Sequence, residues 1–118
     1  MIGPIRERRT FEALRARGIR ARSGPLGGSL LAEPDDVGTR VAYAIPKRVG
    51  GAVQRNRLRR RLRAIVAELA DVPGAVPAGA LVVTAGPEAA RRTPEELRID
   101  VERLLSLLEE RRTAGEPR

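Results

Sequence analysis

The sequence predicts one α+β domain, in which a β-sheet and several helices share a single core. At 118 residues, the chain has enough material for one domain of ordinary size. Residues 40–45 and 80–85 have the alternating or continuous apolar pattern of strands, whereas the segments after Gly51 and Thr93 repeat apolar residues at helical spacing. Strand and helix patterns therefore interleave along the chain, which indicates a mixed fold.

The first helix is predicted at residues 11–17. Thr10 has a side chain suited to capping the helix, because its hydroxyl can accept a hydrogen bond from a free backbone N–H group. Phe11 and Leu14 are three positions apart and share one face of this helix. Gly18 follows at the position where helices commonly end.

Three short extended segments are predicted next. Glycine-rich residues 19–31 favour two of them, the second over residues 29–32. Residues 33–38, EPDDVG, have the composition of a turn. Residues 40–45 alternate apolar side chains on one face, including that of Tyr43, with smaller residues on the other. This last segment is the clearest strand of the N-terminal half.

A dense cationic segment follows this strand. Residues 47–63, KRVGGAVQRNRLRRRLR, hold eight basic residues and no acidic one, and this local charge equals the net charge of the whole chain, +8. The rest of the chain is balanced, with 15 basic and 15 acidic residues. A positive charge this concentrated indicates a surface that binds a polyanion, and it is typical of proteins that bind nucleic acid.

The cationic segment is predicted to form a helix that begins after Gly51. At 100° per residue, its apolar residues fall within about one third of the circumference and form a core stripe. The members of this stripe are Leu58, Leu62, Ile65, Val66 and Leu69. Asn56, Arg59, Arg60 and Arg63 follow helical spacing on the other side and form a polar stripe. Because like charges this close repel one another, the stripe opposes folding, and a bound phosphate backbone would reverse that cost.

The C-terminal part predicts a buried strand and a well-capped helix. Residues 71–79 form a connector rich in proline and glycine, and the nearly continuous apolar run at residues 80–85 is typical of a strand buried on both faces. Thr93 is the predicted cap of the last helix, with Pro94 at its first position and Glu96 completing a capping box. The core stripe of this helix is Leu97, Val101, Leu104, Leu105 and Leu108.

Composition excludes several functional classes. The chain has no cysteine, which rules out disulfides and thiolate metal sites, and no histidine, which removes the usual zinc ligand and the usual general base. The longest apolar run, residues 78–85, is far shorter than the ~20 residues of a membrane span. Residues 1–10 lack the apolar core of a signal peptide. A soluble protein of the cytoplasm is therefore expected, forming one domain over residues 1–118 with flexible ends at residues 1–9 and 112–118.

The run PKRVGGAVQRNRLRRRLR at residues 46–63 resembles the sequence motif of the bacterial ribonuclease P protein component. In that family a pair of basic residues, a short glycine-containing loop, Ala-Val and then Arg-Asn-Arg open a long helix. The similarity extends upstream to Arg40-Val41 and to Phe11 followed by a helix that ends in Arg17-Gly18. Downstream it includes Ala85 and the Thr93-x-Glu95-Glu96 pattern, so it covers most of the chain.

The resemblance implies an α-β-β-β-α-β-α two-layer sandwich of the ribosomal protein S5 domain 2-like fold, with a left-handed β-α-β crossover. General statistics instead favour right-handed crossovers, at about 98%. The resemblance also implies the protein subunit of ribonuclease P, an endoribonuclease that removes the 5′ leader from precursor tRNA. Its partners would be the catalytic RNA and the precursor tRNA. The chemistry would belong to the RNA and its Mg²⁺ ions, so that the protein itself supplies no catalytic residue, no metal site and no cofactor.

By the same resemblance, the basic segment would contact the RNA subunit. The residues implied are Lys47, Arg48, Arg55, Asn56, Arg57, Arg59, Arg60 and Arg63. A cleft between the basic helix and the open face of the sheet would hold the single-stranded leader, with Phe11, Leu14 and Tyr43 as its residues. Members of the family commonly have an aromatic residue where this chain has Leu14, and another near Leu30-Leu31. Stacking on an aromatic ring is worth roughly 1–3 kcal/mol per base. Because this chain lacks those two rings, its binding of the leader is expected to depend more on charge and aliphatic contact than that of its relatives.

Two other classes compete with this interpretation. A generic basic RNA-binding or ribosome-associated domain would share the charge, although it would not be expected to reproduce the Arg-Asn-Arg spacing together with Phe11 and the capped last helix. A self-sufficient metal nuclease would need clustered carboxylates. Asp35, Asp36, Glu95 and Glu96 are candidates for such carboxylates, but turn and capping chemistry explains them.

Overall fold

Within residues 2–32 and 38–114, which the computed structural model describes, the chain forms three α-helices and five β-strands. In chain order they are β1 (Ile2–Pro4), α1 (Arg8–Arg17), β2 (Ile19–Ser23), β3 (Leu26–Leu31), β4 (Thr39–Ala44), α2 (Ala52–Leu69), β5 (Gly79–Ala85) and α3 (Pro94–Thr113). Two 3₁₀ turns, Lys47–Val49 and Pro87–Arg91, precede α2 and α3. None of the helices in these two ranges is both long and apolar enough to cross a bilayer.

The strands form one mixed sheet in the order β1-β4-β5-β3-β2. Strand β5 lies at its centre, parallel to β4 and antiparallel to β3, and this position explains the continuous apolar run that the sequence shows there. Strands β4 and β5 are adjacent and are joined through α2, so the expected β-α-β unit is present. The predicted α+β fold class is confirmed.

Helices α2 and α3 cover one face of the sheet and build the main core with it. All five residues predicted for the core stripe of α2 are buried, and so are all five predicted for α3. The predicted cap of α3 is also confirmed, because the Thr93 hydroxyl accepts from the Glu96 N–H at 3.1 Å and the Glu96 carboxylate accepts from the Thr93 N–H at 3.0 Å. Helical periodicity and capping therefore predicted both long helices correctly.

Helix α1 packs on the opposite face, where Leu14 and Phe11 contact a smaller apolar cluster around Ala80. The predicted cap at Thr10 is wrong. The helix begins at Arg8 with Glu7 at the capping position, and Thr10 is buried inside its first turns. The sequence pattern missed this start because the first residues of the helix are polar and carry no apolar repeat.

The two extended pieces predicted for residues 19–31 form the β2–β3 hairpin around Gly24, whose φ of +59° suits glycine. The second strand was predicted to start at residue 29, but it starts at Leu26 and includes two glycines. A Cβ atom on Gly28 would lie 3.2 Å from methyl groups of Leu104 and Leu108. Glycine is used here because α3 packs closely on the strand, not because the chain turns.

Strand β1 was not predicted, since residues 1–9 were expected to be flexible. It pairs in parallel with β4, with Ile2 opposite Thr39 and Pro4 opposite Val41. A strand of three residues that contains glycine and proline has no alternation from which it could be recognised. At the other end, α3 continues to Thr113, into the segment expected to be flexible. Nearly all of the turn predicted at residues 33–38 lies outside the described residues.

Candidate nucleic-acid interface

The basic segment begins with a 3₁₀ turn and continues as the first three turns of α2. Gly50 and Gly51 join these two elements, and the Gly51 N–H donates to the Gln54 side-chain oxygen at 3.2 Å. The Arg55 Nε donates to the Gly50 carbonyl at 3.1 Å, which fixes the turn against the helix. As a result, Lys47 and Arg48 extend the cationic surface beyond the helix N-terminus, where the helix dipole adds further positive potential.

The cations of α2 spread over its solvent-facing side. Arg59 and Arg63 face strands β1 and β4, whereas Arg57 and Arg61 face the Pro87–Arg91 turn. Arg60 lies between these two directions. The predicted polar stripe is therefore present, and one hydrogen bond orders it, since the Asn56 side-chain oxygen accepts from Arg59 at 2.8 Å.

None of the eight basic side chains of residues 47–63 forms an ion pair with a carboxylate among the described residues. Several other arginines do. Arg92 binds Asp100, Arg98 binds Glu68 and Glu102, and Arg112 binds Glu109. Carboxylates therefore neutralise these arginines, whereas all eight cations of α2 and its preceding turn are available to an external anion. We call these eight residues, together with Asn56, the cationic helix surface.

The three residues predicted for a leader cleft do not lie on one surface. Leu14 is only 3% exposed and packs beneath α1. Phe11 is partly buried on the α1 side of the sheet, and Tyr43 packs against the core on the α2 side. Successive residues of a strand point to opposite faces, and Ala42 takes the α1 side, so Tyr43 must take the other.

Tyr43 and Arg63 form a cation–π contact, with the guanidinium carbon 5.8 Å from the ring centroid. Burial raises the pKa of the Tyr43 hydroxyl, and the nearby charge of Arg63 partly opposes that rise. The hydroxyl is therefore protonated at neutral pH. It makes no hydrogen bond to any other residue in the described part of the chain.

A second cationic surface lies on the open part of the sheet, on the same face as α1. Arg20 pairs with Ser29 and Arg22 with Gly27 across the hairpin, and these residues share the face on which Val82 contacts the α1 cluster. Because α1 covers only part of this face, a groove of about 690 Å³ remains beside it. We call it the sheet groove.

Four arginines line the sheet groove: Arg20, Arg22, Arg48 and Arg111. The guanidinium of Arg111, near the end of α3, donates to the Arg20 carbonyl and so is tied to the edge strand. Of these four, only Arg48 was among the predicted site residues. Arg20 and Arg22 could have been found from the sequence, because cations two positions apart on a strand must point to the same face.

Both surfaces suit phosphate groups. Each guanidinium presents several N–H donors in a planar fork that matches two phosphate oxygens. Among residues 2–32 and 38–114, no group of three or more acidic side chains is arranged to hold a metal ion. Recognition of a polyanion is the chemistry that these guanidinium groups support.

Comparison with known proteins gives consistent matches. The family model described as Ribonuclease P matches residues 4–109. The ribonuclease P protein component of Acidothermus cellulolyticus is 38% identical over 106 residues, which cover 88% of this chain and 86% of that protein. The corresponding protein of Clavibacter michiganensis is 46% identical over 67 residues, but the match spans only 57% of either chain. In structure, the Staphylococcus aureus RNase P protein superposes with a TM-score of 0.77 over 88% of this chain and 93% of that one, at 18% identity.

Proposed function

Because this chain belongs to the ribonuclease P protein family, we propose that it is the protein subunit of ribonuclease P and that it assists removal of the 5′ leader from precursor tRNA. The observation that carries this proposal is the cationic helix surface, in which eight basic side chains lie on one helix and its leading turn without a carboxylate partner among the described residues. An RNA backbone supplies the missing anions.

The RNA subunit is the proposed partner of the cationic helix surface. Arg55, Arg57 and the polar stripe would contact phosphates, while Lys47 and Arg48 extend the contact past the helix N-terminus. Asn56 would act through Arg59, whose guanidinium it orients at 2.8 Å. A rigid helix suits this task because its backbone is already ordered, so that only the freedom of the side chains is lost on binding.

The sheet groove is the proposed site of the 5′ leader. Its four arginines can follow the phosphates of a single strand, and the partly buried ring of Phe11 lies on the same sheet face. This assignment replaces the cleft expected from Phe11, Leu14 and Tyr43, because Leu14 is buried and Tyr43 lies on the other face. The leader and the RNA subunit would then contact different surfaces, which meet at Arg48.

Cleavage itself is assigned to the RNA subunit, whose Mg²⁺ ions would activate water and stabilise the leaving oxygen. The protein would contribute binding and charge neutralisation. Bringing the leader and the catalytic RNA onto one cationic body lowers the repulsion between two polyanions, so that less Mg²⁺ is needed for assembly. We place this particle in the cytoplasm, where precursor tRNA is processed.

The test is cleavage of precursor tRNA at low Mg²⁺ by three preparations: the RNA subunit alone, this protein alone, and both together. We expect 5′-leader removal only in the mixture. Cleavage by the protein alone would favour a nuclease, and no stimulation of the RNA subunit would leave a generic RNA-binding domain.

A further inference from the structure

A separate cavity of about 470 Å³ lies between the N-terminal strand β1, the strand β4 and the helix α2. Its volume is within the range of ~300–1,000 Å³ that is usual for ligand pockets. Strand β1 ends at Pro4, opposite Val41, so the edge of β4 beyond that point has no strand partner among the described residues. The cavity opens beside this uncovered edge, and Tyr43 lies on it.

The lining of this cavity combines an aromatic ring, cations and aliphatic groups. Tyr43 supplies the ring, Arg59 and Arg63 supply the charge, and Ile2 and Val66 are among the apolar residues. None of the described lining residues is acidic. The protonated Tyr43 hydroxyl, which no other described residue bonds, adds a polar group that can donate or accept a hydrogen bond.

We propose that this cavity binds one unpaired base of the RNA subunit, which stacks on the ring of Tyr43 while Arg59 and Arg63 contact the adjacent phosphates. The proposal rests on the function proposed above and names a second contact on the same partner. Unpaired bases are the parts of RNA that stack on aromatic side chains, because paired bases keep their faces inside the helix. A single unpaired nucleotide therefore fits the cavity, with its base on the ring and its phosphate on the guanidinium groups.

The position of the cavity favours the RNA subunit over the leader. Arg59 and Arg63 belong to the cationic helix surface, so the cavity is continuous with the proposed contact to the RNA subunit. The sheet groove lies on the opposite face of the sheet, on the side of α1.

The Arg63 guanidinium lies over the ring of Tyr43. Its carbon lies 5.8 Å from the ring centroid, close to the limit of ~6 Å for a cation–π contact. The Arg63 side chain is exposed and makes no ion pair with a described carboxylate, so it can move aside without disturbing α2. An incoming base would take its place over the ring, and the freed guanidinium would bind the phosphate of the same nucleotide.

Ultraviolet cross-linking of the assembled particle tests this directly, because Tyr43 is the only tyrosine in the chain. The protein would be mixed with the RNA subunit and with precursor tRNA that carries an isotopic label throughout, irradiated, digested and analysed by mass spectrometry. We expect an adduct of Tyr43 with a nucleotide that lacks the label and therefore comes from the RNA subunit. A labelled adduct would place Tyr43 on the precursor tRNA, and no Tyr43 adduct in a particle that cleaves would show that the cavity holds no base. Either result would overturn the proposal.

Two substitutions provide an independent measurement. Tyr43→Phe keeps the ring, and Tyr43→Leu keeps apolar packing but removes the stacking surface. We expect Tyr43→Leu to weaken binding of the RNA subunit roughly 5- to 100-fold and Tyr43→Phe to change it by less than about threefold. Equal affinities would contradict base stacking. Thermal melting would establish that Tyr43→Leu folds, since the ring also packs against the core.

These outcomes separate this proposal from the function on which it rests. If the unmodified protein fails to stimulate precursor tRNA cleavage, the proposed function is wrong. If it stimulates cleavage but gives no Tyr43 adduct, and the two Tyr43 variants bind alike, only the base-binding cavity is wrong.

Discussion

Arg92 holds the buried carboxylate of Asp100 through two hydrogen bonds of 2.9 Å, one from Nε and one from Nη2, to different oxygens. The Asp100 side chain is 4% exposed and that of Arg92 is 34% exposed. The hydrogen bond to Asp100 also raises the pKa of Arg92. A Cβ on Gly24 would lie 3.1 Å from this carboxylate, so the pair lies directly under the β2–β3 turn. It therefore supports the hairpin that carries Arg20 and Arg22.

Removing Arg92 is expected to destabilise the fold more than removing Asp100. Arg92→Ala leaves a buried carboxylate without a partner, whereas Asp100→Ala leaves a guanidinium that can reach solvent. We expect Arg92→Ala to lower the Tm by roughly 10 °C and Asp100→Ala by less. Arg98→Ala is the matched control, because it removes an arginine paired with exposed glutamates and should shift the Tm by only a few degrees. Equal losses in all three proteins would show that burial of Asp100 does not matter.

Neutralising Arg59, Arg60 and Arg63 together, by substitution with glutamine, should weaken binding of the RNA subunit and flatten its salt dependence. Each phosphate contact contributes roughly 0.7–0.9 to the slope of log K against log salt, so the slope should fall by roughly 2 to 3. Binding would be measured by filter retention across a series of salt concentrations. An unchanged slope would exclude this stripe from the interface.

The control for that triple variant removes three positive charges from α3 instead of α2. Arg98, Arg103 and Arg112 lie on α3, and two of them are already paired with carboxylates. Their substitution with glutamine lowers the net charge equally but should leave most of the salt slope in place. If both triple variants behave alike, binding would depend on net charge and not on the position of the cations.

Tyr43 should titrate above its ordinary value, because burial raises the pKa of its hydroxyl. A group whose pKa is raised in the folded state contributes stability below its unfolded pKa, near 10, and loses it as the pH rises through the folded value. Alkaline pH should therefore destabilise the protein, and Tyr43→Phe should remove this part of the loss. Tyrosinate absorbance reports the titration of this group alone, since the chain has one tyrosine and no tryptophan.

The same titration tests the contact with Arg63. Because the Arg63 charge lowers the pKa of Tyr43, Arg63→Gln should raise it further. Unfolding in denaturant should return it to about 10. A folded value at or below that of the denatured protein would contradict the burial described for this ring.

Sequence patterns predicted the elements whose residues follow a regular spacing or a local hydrogen-bond motif. The stripes of α2 and α3, the cap at Thr93 and the central strand all follow periods or local hydrogen bonds that neighbouring residues determine. What could not be predicted depends on distant partners. Strand β1 exists because β4 offers it an edge, and Gly28 lies within a strand because α3 packs above it.

The residues of the candidate site also divide into those that the sequence could predict and those that only the fold brings together. The charge run and its spacing located the cationic helix surface, because all of its residues are close in sequence. The sheet groove brings Arg20 and Arg111 together from opposite ends of the chain, and only the folded sheet places them side by side. The resemblance grouped Tyr43 with Phe11 and Leu14, and the folded sheet places Tyr43 on the face opposite the other two. Periodicity shows which residues share a face of a strand but not which helix covers that face.

The separation of the two cationic surfaces is tested most directly by the affinity of the assembled particle for precursor tRNA with and without its 5′ leader. In the double variant Arg20→Gln, Arg22→Gln, we expect binding of the RNA subunit to stay near that of the unmodified protein, while the preference for the leader falls roughly tenfold. The triple variant of α2 should instead lose binding of the RNA subunit. A double variant that keeps its full preference for the leader, or that fails to bind the RNA subunit, would contradict the assignment of the leader to the sheet groove and of the RNA subunit to the helix.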